Sequence, residues 1–266
     1  TKEEAIEEAL QILDIYAKAY EELYAVPVIK GIKSEKEKFA GADITYSIET
    51  FLPNGKAIQC ATSHNLGQNF SKAFDITFLD KDGKIKHIWQ NSWGFTTRSI
   101  GIMIMFHGDD KGLVLPPRVA ETKAVIVPIL FDESKAKVIK EAKKIKESLK
   151  ELNVHLDLRE EYSPGWKFNE WELKGIPVRI ELGPKDLKKK EVIVVRRDTG
   201  KKQAVKISQL NKFLPKLLED IQKSLLKNAR KKLEDSIVFV KNFEDFKKAI
   251  KEKKLVKANW CGTESC

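Results

Sequence analysis

Short apolar runs occupy the first third of the chain and constrain its fold most strongly. Five of them alternate or cluster β-branched and apolar side chains, a pattern typical of β-strands. Turn sequences at Asn54-Gly55 and at residues 81–83 separate neighbouring runs and favour hairpins. We therefore predict a mainly antiparallel sheet with strands at residues 26–30, 43–51, 57–61, 74–79 and 84–89.

Helical periodicity flanks this sheet on both sides. Apolar residues recur at helical spacing through residues 2–23, which predicts an amphipathic helix at the start of the chain. Thr96 is placed to cap a second helix that ends at Gly108, since threonine is a good N-cap and glycine a good C-cap.

A proline pair, Pro116-Pro117, predicts a domain boundary because proline lacks an N–H and restricts the residue before it. The order of strand, helix and strand beyond it indicates an α/β layer with a partly parallel sheet. The predicted elements are strands at 124–130, 154–158 and 178–182, a helix at 134–152, a hairpin at 192–206, a long helix at 209–234, and a strand, helix and strand at 237–240, 242–253 and toward Trp260. The predicted domains are residues 1–119, 120–208 and 209–266.

The charge balance favours a polyanionic partner. The 266 residues include 49 Lys and Arg against 39 Asp and Glu, a formal net charge of +10. Such an excess suits nucleic acid, although a solvated surface gives the same composition. No stretch reaches the roughly 18 apolar residues that a membrane span needs, and the N-terminus lacks the apolar stretch of a signal peptide. We expect a cytoplasmic protein with no membrane partner.

Two segments, residues 59–67 and 90–101, crowd uncharged donors, glycines and the single arginine Arg98 together. They are too polar for a core and indicate a ligand site. Arg98 falls in the first turn of the predicted helix, where its fork-shaped guanidinium and the helix dipole would both attract a phosphate. A plain surface arginine is the alternative interpretation. No Gly-Lys-Ser or Gly-Lys-Thr follows the glycines, which excludes a Walker-type loop.

Gln59, Thr62 and His64 lie at alternating or nearly alternating positions at the end of a strand. Thr62 and His64 can therefore face the same way into a cleft. A structural histidine in a strand is the alternative for His64. The adjacent Ser63 and His64 do not indicate a hydrolase, because neighbours on a strand point to opposite faces and no Gly-x-Ser-x-Gly turn is present.

These segments, together with residues 107–118, 162–177 and 260–262, resemble in order the prolyl-tRNA synthetases of the archaeal and eukaryotic type, a family of class II aminoacyl-tRNA synthetases. The resemblance implies an α+β and α/β fold. Its parts would be the C-terminal part of a class II catalytic domain with an antiparallel sheet and the third signature motif, an α/β anticodon-binding domain, and a truncated zinc-type domain. ATP, Mg²⁺ and proline are the implied small ligands.

The resemblance also implies roles for single residues. The implied ATP contacts are Gln59, Thr62 and Arg98, with Gln59 near the metal. The implied lining of the proline pocket is His64, Trp93 and Thr96. Cys60 stands where the family usually has glycine, and the loop at 33–41 follows the family pattern without an assigned role beyond closure over the site.

Anticodon reading is the function that the resemblance implies for the second domain, with tRNA(Pro) as the partner. The matching positions are Glu172, Arg179 and Lys185. A glutamate can accept from the N1–H and N2–H groups of guanine, and Arg or Lys can donate to O6 and N7. Each of these residues taken alone is equally consistent with a plain surface charge.

Two cysteines close the sequence, Cys261 and Cys266, and resemble the first half of a zinc site in the family's C-terminal domain. Tetrahedral zinc needs four ligands, so we expect only half a site and little zinc binding. The chain starts after the family's second signature motif. We therefore expect a homodimer only at full length, zinc binding only in the longer protein, and no adenylate formation by this chain alone.

The sequence thus predicts part of a proline–tRNA ligase, which activates proline with ATP and transfers it to tRNA(Pro). One alternative is a catalytically silent tRNA-binding half of a split or degenerate synthetase. Another is an ordinary basic scaffold of synthetase ancestry. The enzyme is favoured over both by the intact set of Gln59, Thr62, His64, Thr96 and Arg98, because a silent module has no need of them.

Overall fold

A computed structural model gives the fold and describes residues 1–262. The chain divides into two compact units. The first comprises Thr1–Glu22, Val26–Met105 and the chain from Ala229 onward, and the second comprises Leu23–Ala25 and Phe106–Asn228. The predicted domain limits at 119 and 208 stay a prediction. Among the described residues, no helix has the length and apolar character of a membrane span.

A four-stranded antiparallel sheet forms the centre of the first unit, with strand order β1-β2-β3-β6. Its strands are β1 (Ile29–Ile32), β2 (Ile44–Phe51), β3 (Ala57–Gly67) and β6 (Gln90–Gly94). The antiparallel character is confirmed, but the strands predicted at 74–79 and 84–89 form a separate hairpin, and β6 completes the sheet instead. β3 also continues six residues beyond its predicted end at Ala61. Four consecutive polar residues, 62–65, disguised this part of the strand.

One helix, α1 (Lys2–Lys18), covers one face of this sheet and continues into a single π-helical turn, Ala19–Leu23. The small residues Ala9 and Ala17 and the larger Leu13 and Tyr20 form its buried stripe. Ser63 of β3 is fully buried beneath the helix and donates to the Ala9 carbonyl at 2.8 Å. The predicted helix at 2–23 is confirmed.

The segment between β3 and β6 differs in detail from the prediction. A short helix α2 (Asn69–Ala73) that was not predicted follows β3, and the strand predicted at 74–79 begins only at Thr77. Ser71 fixes it by donating to the Ile88 carbonyl at 2.7 Å, a contact across 17 residues that no local pattern reveals. The hairpin of β4 (Thr77–Leu79) and β5 (Ile85–His87) follows, and α3 (Arg98–His107) comes after β6.

The second unit contains a five-stranded sheet with strand order β11-β10-β9-β7-β8. β7 pairs in parallel with β8 and β9, while β9, β10 and β11 are antiparallel, so the partly parallel prediction is confirmed. The strands are β7 (Ala124–Pro128), β8 (Val154–Leu156), β9 (Val178–Leu182), β10 (Glu191–Arg196) and β11 (Lys202–Lys206), and the helices are α4 (Lys135–Ser148), α5 (Pro164–Leu173) and α6 (Pro184–Lys189). Val, Ile, Leu and Ala side chains of β7, β9, β10, α4 and the next helix, α7 (Leu210–Ser236), form one buried core.

The helix α5 was absent from the sequence prediction although its start carries a recognisable signal. Ser163 caps it, accepting from the Trp166 N–H at 3.3 Å, and Pro164 occupies the first helical position. After α5, Gly175 has φ +72°, and a Cβ there would lie 2.6 Å from the Leu113 carbonyl oxygen. Glycine is therefore required where the segment after α5 passes close to Leu113.

The C-terminal part has the predicted order. After α7, the strand β12 (Ile237–Val240), the helix α8 (Phe243–Lys251) and the strand β13 (Leu255–Ala258) follow, and the two strands pair in parallel. The predicted zinc-type character of this part rests on the terminal cysteines and stays a prediction.

A buried carboxylate ties α5 to the sheet. Asp157, at the end of β8, is 1% exposed and accepts from the Arg159 guanidinium at 2.9 and 2.7 Å and from the Trp171 indole N–H at 2.8 Å. The buried Lys167 ammonium of α5 lies 3.7 Å away. Burial alone would raise the pKa of Asp157, but the hydrogen bonds from Arg159 and Trp171 outweigh it and hold the pKa well below its usual range.

We predict that Asp157→Ala lowers the free energy of unfolding by about 3–5 kcal/mol, because it leaves a buried cation without its counter-charge. Because the folded-state pKa is depressed, the stabilisation is complete above the unfolded pKa of about 3.9 and disappears as the pH falls below it. Urea unfolding of wild type and variant between neutral and acidic pH measures both effects. The exposed carboxylate variant Glu161→Ala is the control. A difference between wild type and Asp157→Ala that is small or independent of pH would contradict this role.

Candidate functional site

The face of the first sheet opposite α1 carries a row of polar side chains. In antiparallel pairs, residues opposite each other point to the same face. His64 pairs with Thr45, Thr62 with Ser47 and Gln59 with Glu49. Since Thr45, Ser47 and Glu49 alternate along β2, all their partners lie on that same face. The prediction that Thr62 and His64 face one way is confirmed, and Gln59 joins them.

A β-bulge at Cys60 explains how Gln59 reaches this face. The register shifts between Ile48 and Glu49, so Cys60 has no partner of its own on β2. The Tyr20 hydroxyl donates to the Cys60 carbonyl at 3.1 Å. Burial raises the pKa of the Cys60 thiol to about 12, which keeps it protonated at neutral pH. A side chain in place of the family's usual glycine is thus accommodated as a buried, neutral group.

Arg98 lies beside this row as the first residue of α3. Its Nη1 donates to the Gln59 carbonyl at 3.3 Å, and its own backbone N–H donates to Thr96 Oγ1 at 3.3 Å. The predicted capping role of Thr96 is consistent with the latter bond. The Arg98 side chain is exposed, so its guanidinium has donors left for a ligand at the open N-terminal end of α3.

His64 is half-buried and has two close neighbours. Its Nδ1 lies 2.9 Å from Thr45 Oγ1, and its ring centroid lies 5.4 Å from that of Phe39. Burial lowers the pKa of His64 below its ordinary value, so the ring is neutral at pH 7. Phe39 was not among the residues predicted for the site, although the loop that carries it was noted.

Trp93 does not lie on the same face of the sheet as His64, although both were predicted to line the proline pocket. It pairs with Ser63, which faces α1, whereas His64 pairs with Ser92. Trp93 therefore lies on the opposite face of the strands from His64, with its side chain 45% exposed at the edge strand. Of the predicted pocket residues, the register places His64 and not Trp93 on the polar face, and Thr96 lies beyond the end of β6.

Glu49 is a carboxylate of the polar face that sequence reasoning missed. It pairs with Gln59, accepts from the Ser47 hydroxyl at 3.2 Å and forms an ion pair with Lys33 at 2.5 Å. The alternation of Thr45, Ser47 and Glu49 along β2 was a usable signal, because polar residues at alternate positions of a strand mark a polar face. Glu49 gives this face a negative charge next to Arg98 and Gln59.

The second unit brings two of the predicted base-reading residues into one pocket. Glu172, at the end of α5, and Arg179, on β9, both line it together with Trp171, Arg196 and Arg197. The Glu172 carboxylate pairs with Lys111 at 3.2 Å. Lys185 is exposed in the first turn of α6, outside the lining of this pocket.

The Arg179 guanidinium is held on two sides. Its Nε and Nη2 donate to Glu181 Oε1 at 3.0 and 2.9 Å, and its guanidinium carbon lies 4.3 Å from the Phe168 ring centroid. Glu181 is two residues along the same strand, so a period of two could have identified it. Phe168 comes from α5, and its contact has no such signal.

A long-range ion pair supports the main chain beside Glu172. Arg197 is buried and donates to both oxygens of Asp109, at 2.8 and 2.6 Å, and its Nε donates to the Glu172 carbonyl at 2.9 Å. Hydrogen bonds from Arg197 come first among the causes that lower the pKa of Asp109. The pair spans 88 residues, so no sequence pattern indicates it.

The predicted half zinc site involves Cys261, which is described, and Cys266, which lies outside the described residues. Within residues 1–262, no group of three or more His, Cys, Asp or Glu side chains is arranged to hold a metal ion. The half-site stays a prediction.

Two models of known families match the chain. Residues 1–107 match the tRNA synthetase class II core domain (G, H, P, S and T), which contains the polar face and Arg98. Residues 123–217 match the anticodon binding domain, which contains the pocket around Arg179.

Comparison with curated proteins gives relatives along the entire chain. A proline–tRNA ligase of Natranaerobius thermophilus is 49% identical over 100% of this chain and 56% of its own length. The cytoplasmic proline–tRNA ligase of Arabidopsis thaliana is 49% identical over 99% of this chain and 51% of its own length. The chain thus spans about half the length of these relatives. On this similarity, the chain belongs to the proline–tRNA ligase family of class II tRNA synthetases.

Proposed function

We propose that this chain takes part in the ATP-dependent activation of proline and its transfer to tRNA(Pro). The observation that carries the proposal is the polar face of the first sheet, where Gln59, Thr62 and His64 lie in one row and Arg98 bonds to the Gln59 carbonyl. A sheet face with fixed donors and the exposed guanidinium of Arg98 beside it suits a ligand with both polar and anionic parts.

ATP is the ligand we assign to the end of this row nearest Arg98. Its guanidinium and the N-terminal end of α3 would stabilise negative charge on the α-phosphate as the proline carboxylate attacks. Gln59 and Thr62 would hold the nucleotide beside it. Activation needs no protein nucleophile, since orientation of the two reactants and charge stabilisation supply the catalysis.

Mg²⁺ fits the same end of the row. Magnesium is commonly held by one or two protein carboxylates together with substrate phosphates, and Glu49 and Gln59 present a carboxylate and an amide oxygen as direct neighbours. These two residues would hold the ion, which would neutralise phosphate charge when bound. Glu49 would have to exchange its contact with Lys33 for it.

Proline would bind at the other end of the row, near His64. A small cyclic amino acid offers little surface, so selectivity requires an apolar wall and polar groups that a wrong substrate leaves unpaired. Phe39, whose ring is tilted against that of His64 at 5.4 Å, supplies an apolar wall on this face. Thr96 remains assigned to the pocket by the family resemblance, whereas Trp93 lies on the opposite face of the strands from His64. The resemblance also implies a homodimer, tRNA(Pro) as partner and a cytoplasmic location.

Base reading is the role we assign to the pocket of the second unit. Glu172 would accept from guanine N1–H and N2–H, while Arg179 and Lys185 would donate to O6 and N7. Glu181 and Phe168 fix the Arg179 guanidinium in advance, which reduces the entropy lost on binding.

Arg98→Ala should reduce proline-dependent ATP–pyrophosphate exchange by about 10²-fold or more, because it removes one preorganised charge-stabilising donor. The assay uses a chimera that joins the unmatched part of the Natranaerobius thermophilus relative to this chain. Lys84→Ala, an exposed cation far along the sequence from the row, is the control and should have no effect. Normal exchange kinetics for Arg98→Ala would remove this residue from the ATP site.

Glu172→Ala and Lys185→Ala should each reduce discrimination between cognate tRNA and tRNA with an altered second or third anticodon base by roughly 1–3 kcal/mol, the value of a good base-edge pair. Binding of both tRNAs to the 266-residue chain measures this at fixed salt, since affinity depends on salt.

Lys143→Ala, which removes an exposed cation of α4, is the matched control for Lys185. It should weaken binding to both tRNAs equally or leave it unchanged. If Glu172→Ala and Lys185→Ala discriminate as well as wild type does, the base-reading assignment is wrong. ATP–pyrophosphate exchange by chimeras that carry these variants should be unaffected, because the two sites carry out separate steps.

A further inference from the structure

Thr45 links the loop at 33–43 to His64 through one hydroxyl group. The side chain is 2% exposed on β2. Its Oγ1 lies 3.1 Å from the Phe39 backbone nitrogen and 2.9 Å from His64 Nδ1. These are the contacts of that hydroxyl within residues 1–262.

The direction of the second bond follows from the first. A backbone N–H can only donate, so Phe39 occupies an acceptor position of Thr45 Oγ1. The single hydroxyl hydrogen of Thr45 is then available for His64, and Nδ1 accepts it. A neutral imidazole that accepts at Nδ1 carries its hydrogen on Nε2.

The opposite arrangement leaves a donor unsatisfied. If His64 Nδ1 carried the hydrogen, Thr45 Oγ1 would accept twice, and its buried hydroxyl hydrogen would have no acceptor among the described residues. Buried donors without partners are strongly disfavoured. Burial also keeps the pKa of His64 low, so the doubly protonated ring does not compete at neutral pH.

We propose that Thr45 is a positioning residue that holds His64 as the neutral Nε2–H tautomer, so that the polar face offers an N–H donor from this ring. Nε2 has no hydrogen-bond partner within the described part of the chain. Resting on the proposed function, this assigns His64 to an oxygen atom of the amino-acid substrate. It cannot be a partner of the cationic imino nitrogen, which is itself a donor.

The tautomer is measurable in the 266-residue chain without any ligand. Long-range proton–nitrogen correlation spectra separate the two tautomers, and His64→Gln assigns the signal among the four histidines. Wild type should give the Nε2–H pattern with Nδ1 as acceptor. Thr45→Val should lower the ratio of Nε2–H to Nδ1–H by about fivefold or more, the lower end of the penalty for an unpaired buried donor.

Two further variants separate positioning from simple stability. Thr45→Ser keeps the hydroxyl and should preserve the wild-type pattern even where Thr45→Val folds poorly. Thr50→Val removes a second buried hydroxyl of β2, which donates to the Pro27 carbonyl at 2.8 Å, and should leave His64 unchanged. A predominant Nδ1–H form in wild type, or an unchanged ratio in folded Thr45→Val, would overturn the proposal.

The assignment to an oxygen of the amino acid is tested in the chimera. Thr45→Val should raise the KM for proline about tenfold and leave the KM for ATP unchanged, while Thr45→Ser and Thr50→Val should behave as wild type. An unchanged KM for proline would overturn the assignment of His64 to the amino acid. Absence of exchange in the unmutated chimera would instead reject the proposed function and leave the tautomer result standing.

Discussion

A sheet that is covered on one face only must carry two different kinds of side chain. In the first unit, α1 buries the face of Ser63 and Ile48, and the other face keeps the polar residues Thr45, Ser47 and Glu49. Thr45 and Ser47 are themselves buried, so each needs a partner, and their partners are His64 and Glu49. The need to satisfy these hydroxyls therefore fixes the side chains that we assign to ligand binding.

In the second unit, the polar groups of the site are satisfied by ion pairs between charged side chains. Glu172 pairs with Lys111, and Arg179 pairs with Glu181, so these two groups, to which we assign base reading, already have partners in the free chain. The buried Asp157 ties the α5 region to the sheet through Arg159 and Trp171. A base that binds in this pocket must share or replace these contacts, which favours guanine, whose edge offers both donors and acceptors, over bases with fewer matching groups.

The sequence predicted those features that depend on local patterns. Alternation, apolar runs and turn residues gave the strands of both sheets other than β6, and helical periodicity gave α1, α3, α4 and α7. The short α2 and α5 were missed because Ser71 is fixed by a distant carbonyl and because the capping signal at Ser163 carries no apolar periodicity.

The same distinction between local patterns and long-range contacts applies to the residues of the two sites. Gln59, Thr62 and His64 were recognisable from residue type and spacing, and Glu49 and Glu181 were recognisable in principle from a period of two. Arg197 depends on Asp109, 88 residues away, and Phe39 reaches His64 through a loop, so neither could be found locally. The face of Trp93 depends on strand register, which resemblance to a family does not specify.

The bulge at Cys60 makes the length of β3 more important than the side chain at that position. It places Gln59 on the polar face although three positions, an odd number, separate it from Thr62. Deletion of one residue between them would remove the bulge and leave a spacing of two, which a regular strand also places on one face. Insertion of one further residue would instead turn Gln59 toward α1 even if every other residue were identical. An insertion at this point should therefore disturb the polar face more than a substitution at position 60.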